Sequence, residues 1–107
     1  MTDLNAIELH DALLVSLSIN YLAKTMAIRV EFYKDAALDS HRQPAQIIFE
    51  GVGSISHTGD LDALQDNSSA GNISYWSPNP GGTTYIYLVN GSIAVRAETA
   101  RFEPYAA

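Results

Sequence analysis

The sequence predicts a mainly β protein of the α+β class, with five to six antiparallel strands in a twisted, rolled sheet or a small two-layer sandwich and one short helix. Three observations carry this expectation. Residues 13–21 (LLVSLSINY) and 25–33 (TMAIRVEFY) alternate apolar with polar side chains at period two, the pattern of half-buried strands. Residues 83–99 (TTYIYLVNGSIAVRAET) hold two further alternating runs about Asn90-Gly91, a dipeptide whose tolerance of positive φ suits a tight hairpin turn. No internal repeat or heptad pattern competes with these signals. With 107 residues, 47% of them hydrophobic, residues 1–107 read as one domain able to bury roughly 60–70% of its unfolded surface.

Each element follows from local chemistry. In the first strand Leu13, Val15, Leu17, Ile19 and Tyr21 share one side, and in the second Met26, Ile28, Val30 and Phe32 point inward with Arg29 and Glu31 outward. A loop at Ala23-Lys24, or a wider one over residues 22–25, pairs Ile19 with Ile28, Leu17 with Val30 and Val15 with Phe32. Residues 34–44 lose the alternation and end at Pro44, as a polar loop does. A third strand is expected over about residues 45–52, with Ile47 and Phe49 in the core. Gly51-Val52-Gly53 then marks a bulge or bend, after which Ile55 rejoins the apolar face. Residues 58–64 (TGDLDAL) carry helix-start chemistry: a short polar cap, acids near the positive end of the dipole, and leucines spaced to share a face. A strand over residues 72–77 (NISYWS) precedes the turn-rich PNPGG segment. In the last hairpin, an Asn90-Gly91 loop pairs Leu88 with Ile93, Ile86 with Val95, Tyr85 with Arg96 and Thr84 with Ala97. That register gathers Ile86, Leu88, Ile93 and Val95 on the core face and leaves Tyr85, Tyr87, Val89 and Arg96 on the other.

The formal charge is −6, and it is unevenly spread: no Lys or Arg lies between Arg42 and Arg96, while Glu50, Asp60, Asp62 and Asp66 do. Phosphate backbones would be repelled, so nucleic-acid binding is not expected. An acidic surface can instead steer a basic protein partner, and it also serves ordinary solubility. There is no cysteine, no basic segment ahead of the first apolar run, and no window of the ~20 apolar residues that a membrane helix needs. A cytoplasmic protein without membrane attachment is the expectation.

The residues point to no catalytic site, metal or cofactor. His10-Asp11 could begin a metal site, but strands offer it only His41 and His57 as further imidazoles, and the pair reads better as a cap on the entry to the first strand. His57 with Asp60 and Asp62 lacks the oxygen ligands and late bidentate acid of a calcium loop, and a solvated helix start explains it. No nucleophile elbow and no phosphate-cradling glycine loop occur. The best working surface combines Tyr75, Trp76, Tyr85, Tyr87 and Arg96, residue types that dominate binding hot spots, with Asp60, Asp62 and Asp66 supplying attraction at its rim. The alternative for these rings is burial beneath a helix or second sheet.

Leu9-His10-Asp11-Ala12 leading into an alternating strand and a hairpin, then Phe49-x-x-Val52 and a late Tyr/Ile hairpin, resembles small uncharacterised bacterial β-rich proteins. Some of these are grouped with the immunity proteins of polymorphic toxin systems. The resemblance implies a non-enzymatic protein that binds a toxin and blocks it, and supplies no catalytic residue. Two alternatives stand beside it: a self-associating module that forms a homodimer through the tyrosine face or a free sheet edge, and an enzyme or small-molecule binder using His57 and residues 60–66 at a pocket mouth.

Overall fold

Two long strands set the shape of the molecule. The computed structural model describes residues 3–34, 41–66 and 71–104. Its strands are β1 (Leu13–Asn20), β2 (Thr25–Phe32), β3 (Gln43–Gly59), β4 (Ile73–Ser77), β5 (Thr83–Leu88) and β6 (Gly91–Pro104), with helix α1 (Leu61–Asp66) between β3 and β4. They form one antiparallel sheet in the order β1-β2-β3-β6-β5-β4, and no ladder joins β1 to β4, so the sheet is not closed.

β3 and β6 pair along almost their whole length, and both change face at one place. Buried residues on β3 run Ala45, Ile47, Phe49 and then resume with the half-buried Val52, while on β6 they run Phe102, half-buried Ala100 and then Ala97. Each strand thus takes three steps where a regular strand takes two. Gly51 stands at this point with φ +65, a left-handed value that glycine reaches without steric cost, and an extra residue follows between Val52 and Ser54. Bulged strands bend, and here the bend folds the sheet over itself. The inward side chains of both halves therefore meet in a single core that includes Met26, Ile28, Ile47, Phe49, Ile86, Ile93 and Val95.

The free edge of β4 is covered by the start of the chain. After a 3-10 turn at Leu4–Ala6, capped by the Asp3 side chain, the chain runs beside β4. The Asp11 amide donates to the Ile73 carbonyl (2.9 Å), and the Ala12 carbonyl accepts from Ile73 (3.0 Å) and Asn72 (3.1 Å). Leu4, Leu9 and Ala12 are buried by this passage.

The rolled antiparallel sheet, the single short helix, the core positions Ile47 and Phe49 and the bend at Gly51-Val52-Gly53 are all found as the sequence predicts. Several details differ. The last hairpin turns at Val89-Asn90 rather than Asn90-Gly91, so Ile86 pairs with Ile93 and Thr84 with Val95. Gly91 is instead the first residue of β6, with φ +141 and its α-carbon so near the Thr58 carbonyl that an added Cβ would stand 2.0 Å from that oxygen. The first hairpin also slides, pairing Ile19 with Met26 and Leu17 with Ile28 around a loop of residues 21–24. Asn20 Oδ1 accepts from the Ala23 amide (3.0 Å) and Lys24 adopts φ +56, and together they set this longer turn. Val15, expected opposite Phe32, falls at a bulge and is exposed, and Leu14 turns inward opposite Val30 instead. β3 runs on to Gly59, so the helix cap is Asp60, whose carboxylate accepts from the amides of Asp62 (3.0 Å) and Ala63 (3.3 Å). Most of the polar loop expected over residues 34–44 lies outside the described residues.

Candidate functional site

The two outward faces of the bent sheet differ in chemistry. On the half made by β2, the start of β3 and the end of β6, Arg29, Glu31, Glu50, Arg101 and Glu103 point to solvent. Arg101 bonds both Glu50 and Glu103, and Gln46 Nε2 also donates to Glu103 (3.4 Å). The hydrogen bond from Arg101 holds the Glu103 carboxyl below its ordinary range, against a smaller effect of desolvation, and the same bonds raise Arg101. This is a solvated charge lattice.

The opposite face, built by the end of β3, the start of β6, β5 and β4, carries tyrosine, serine, threonine and alanine. Its centre is a stack of three rings. Register places Tyr75 of β4 across from Tyr87 of β5, with centroids 4.5 Å apart and planes at 24°. Tyr85, two residues before Tyr87 and so on the same side, stacks at 6.0 Å and 17°. Tyr75 and Tyr85 are 52% and 43% exposed. Desolvation, then the flanking Tyr75 and Tyr85, raise the Tyr87 hydroxyl above its ordinary value. Beyond the rings, Tyr87 is followed across the sheet by Ser92 and Thr58, and Tyr85 by Ala94 and Ser56. Charge enters this face at the bend, where Arg96 and, two residues further along β6, Glu98 point outward. Arg96 pairs with Thr83 and Ser54, and its guanidinium lies across Gly53, where an added Cβ would come within 2.8 Å of it.

Of the expected site residues, Tyr75, Tyr85, Tyr87 and Arg96 share this face. Trp76 does not. Its neighbour in β5 is the buried Ile86, it is 8% exposed, and its indole N–H donates to the Ile7 carbonyl at 3.0 Å, so it belongs to the core and anchors the N-terminal segment. The reason is the irregularity between Ile73 and Tyr75, which changes the alternation of β4. Asp60, Asp62 and Asp66 are exposed on and just before α1, past the end of the Thr58-Ser92-Tyr87 row, and do not stand among the rings. Sequence reasoning missed Ser54, Ser56 and Thr58. The alternating GSISHTG run after the bend was the available signal.

The remaining candidates have structural partners. His10 Nδ1 lies 2.8 Å from the Ser74 carbonyl and Nε2 3.5 Å from Asp11, while the His10 amide donates to Glu8 Oε1 (2.8 Å). Asp11 adopts φ +66, and its carbonyl accepts from Arg42 Nε (3.0 Å). The pair thus ties the entry of β1 to β4. The bond to Ser74, then the Asp11 carboxylate, raise the His10 pKa against a smaller desolvation effect. A group raised on folding contributes stability that is full below its unfolded value of 6.5 and is lost as pH rises through the folded value. Urea midpoints for the protein and for His10→Ala should accordingly differ most below pH 6.5 and converge as pH rises through the folded value that the NMR titration of His10 reports.

His57 lines a groove of about 420 Å³ between β1 and α1, whose walls are mainly Leu13, Leu14, Leu17, Leu61 and Leu64. Asp60, Asp62 and Asp66 do not line it. Among the described residues no group of three or more His, Asp or Glu is placed to hold a metal ion, and no helix is long and apolar enough to cross a membrane. No protein-family model matches the chain, nor does any of the curated proteins or solved structures compared with it.

Proposed function

We propose that this protein is a non-enzymatic binding module that holds a protein partner on its tyrosine face. The observation that carries the reading is the contrast between the two outward faces of one sheet. One is a mixed charge lattice of the kind that keeps a protein in solution, and the other is low in charge, built from Tyr, Ser and Thr with Arg96 and Glu98 at its bend-side margin. That is the composition of protein recognition surfaces, where rigid aromatic bodies give contact area at low entropic cost and small hydroxyl side chains adapt their hydrogen bonds. Tyr75, Tyr85 and Tyr87 serve as anchors, and stacking already fixes their rotamers. The acids Asp60, Asp62 and Asp66, within a chain of net charge −6, favour a basic partner. An immunity-type inhibitor that covers a basic toxin is the form that the resemblance to β-rich immunity proteins suggests.

Isothermal titration against the product of the gene adjacent to this one, the partner that an immunity arrangement supplies, tests the proposal. Tyr85→Ala or Tyr87→Ala should weaken binding by about 2 kcal/mol or more, while Glu50→Ala on the charged face should leave it unchanged. Asp62→Asn should lower the association rate and flatten its salt dependence without altering dissociation. A complex indifferent to all three tyrosines would overturn the assignment.

A further inference from the structure

The sheet has two edges, and the chain treats them differently. β4 is covered by the N-terminal segment through backbone hydrogen bonds, whereas among the described residues β1 pairs only with β2, and its other side is met at the Leu14 amide by the Asn72 side chain and is unpaired over residues 16–20. Exposed edges invite pairing, and proteins usually blunt them with charge or proline. β1 has neither: residues 12–23 (ALLVSLSINYLA) contain no charged residue and no proline. Exposed apolar side chains also gather here. Val15, Ile19, Tyr21 and Leu22 are 52%, 40%, 83% and 99% exposed, and Leu61, at 75%, faces β1 across the groove. Leu17 and Ile19 point toward the interior side of the sheet, at its uncovered margin, opposite Ile28 and Met26.

We infer that the occupant of this edge is the β1 strand of a second copy, paired antiparallel about a two-fold axis at Ser18. The bulge lies between Leu14 and Ser16, so residues 16–20 are the regular part of the strand, and Ser18 is their midpoint. An axis there sets Leu17 opposite Ile19 of the copy on the interior side, and Ser16 opposite Asn20 with Ser18 opposite itself on the outer side. Apolar meets apolar and hydroxyl meets amide, because pairs in a ladder share a face. Beyond the ladder the exposed Val15 comes opposite the exposed Tyr21. The charges also fit. Asp11, beside Arg42, precedes the strand and Lys24 follows it, so the antiparallel copy brings Asp11 of each chain toward Lys24 of the other. The two-fold repeats every one of these contacts, as an isologous interface requires.

Sedimentation velocity over a range of concentrations should show a species of twice the 11.6 kDa chain mass. Ser18→Lys places like charges opposite each other on the axis, and Ile19→Lys turns a charge inward at the edge, so each should weaken dimerisation roughly tenfold or more. Ser18 and Ile19 are both exposed in the single chain, and far-UV circular dichroism with a urea midpoint verifies that the variants stay folded. Because the chain has no cysteine, Ser18→Cys gives a positive readout. It should cross-link chain to chain under mild oxidation, whereas Val89→Cys, exposed in the last hairpin turn and outside the ladder, should not. Tyr85→Ala should leave the dimer intact, which keeps this proposal separate from the tyrosine face. A chain that is monomeric throughout, a dimer that survives both lysine variants, or one lost on Tyr85→Ala would each overturn the inference.

Discussion

Replacing Phe49 with alanine should lower the unfolding free energy by about 3–5 kcal/mol, read as a fall in the urea midpoint at unchanged slope. Phe49 is fully buried, and it is the last inward residue of β3 before the strand changes face. Its neighbours in the ladders are Met26 on β2 and the small Ala100 on β6. The phenyl ring therefore fills the space at the inside of the bend. Truncation removes its burial and leaves a cavity, which costs more the less the surroundings can collapse, and here the collapse is opposed by two strands paired along their lengths. Domains of this size hold only about 5–15 kcal/mol in total, so the variant should show a measurable unfolded population at moderate temperature. The next residue is the control. Glu50 points outward to Arg101, and Glu50→Ala should change stability by no more than about 1 kcal/mol, as exposed ion pairs do. Similar losses at both positions would mean that the face assignment of β3 is wrong.

The faces of the strands were legible from the sequence, whereas the registers were not, and the reason lies in the period of a strand. Both hairpins slide by two positions from the expected pairing, Ile86 meeting Ile93 in place of Val95 and Leu17 meeting Ile28 in place of Val30. A slip of two returns every side chain to its own face, so the apolar pattern is blind to it, and only turn geometry decides. That geometry depends on contacts distant in sequence: Gly91 is pressed against Thr58. Bulges are the other loss. Strict alternation places Val15 inward, and the irregular step at Leu14/Ser16 changes its parity; Trp76 is grouped with Tyr75 by residue type, but consecutive residues of a strand face opposite ways, and the irregular step at Ile73/Tyr75 turns Tyr75 out and Trp76 in. Tyr85, Tyr87 and Arg96 survive as a common face because no bulge separates them on β5 and β6. The N-terminal cover of β4 has no periodicity of its own, and its hydrogen bonds reach groups sixty or more positions away.

Asn72→Ala should cost about 2–4 kcal/mol, nearly as much as a core truncation, although only a small polar group is removed. The sheet does not close between β1 and β4, and the Asn72 side chain bridges that gap. Its Oδ1 accepts from the Leu14 amide of β1 (2.7 Å) and its Nδ2 donates to the Leu64 carbonyl of α1 (3.0 Å), with the residue 4% exposed. Its own backbone bonds Ala12 on one side and Val89, in the last hairpin turn, on the other. Alanine keeps the backbone bonds and strands both side-chain partners, an amide and a carbonyl that are largely withdrawn from water, so each loses a hydrogen bond and bears a desolvation penalty as well. Asn72→Asp separates the two contacts. A carboxylate still accepts from Leu14 but faces the Leu64 carbonyl with a second oxygen, and its charge is desolvated, both of which raise its pKa on folding. The aspartate variant should therefore recover stability as pH falls through that raised value, where the protonated acid can donate to Leu64, and the alanine variant should not. Hydrogen exchange localises the effect, because β1 contributes few fully buried side chains and depends on this junction: the Leu14 amide should lose protection in Asn72→Ala while amides in the β3 and β6 core exchange at rates set by the global change. A loss below about 1 kcal/mol with the Leu14 amide still protected would show that the two ends of the sheet are held together without Asn72.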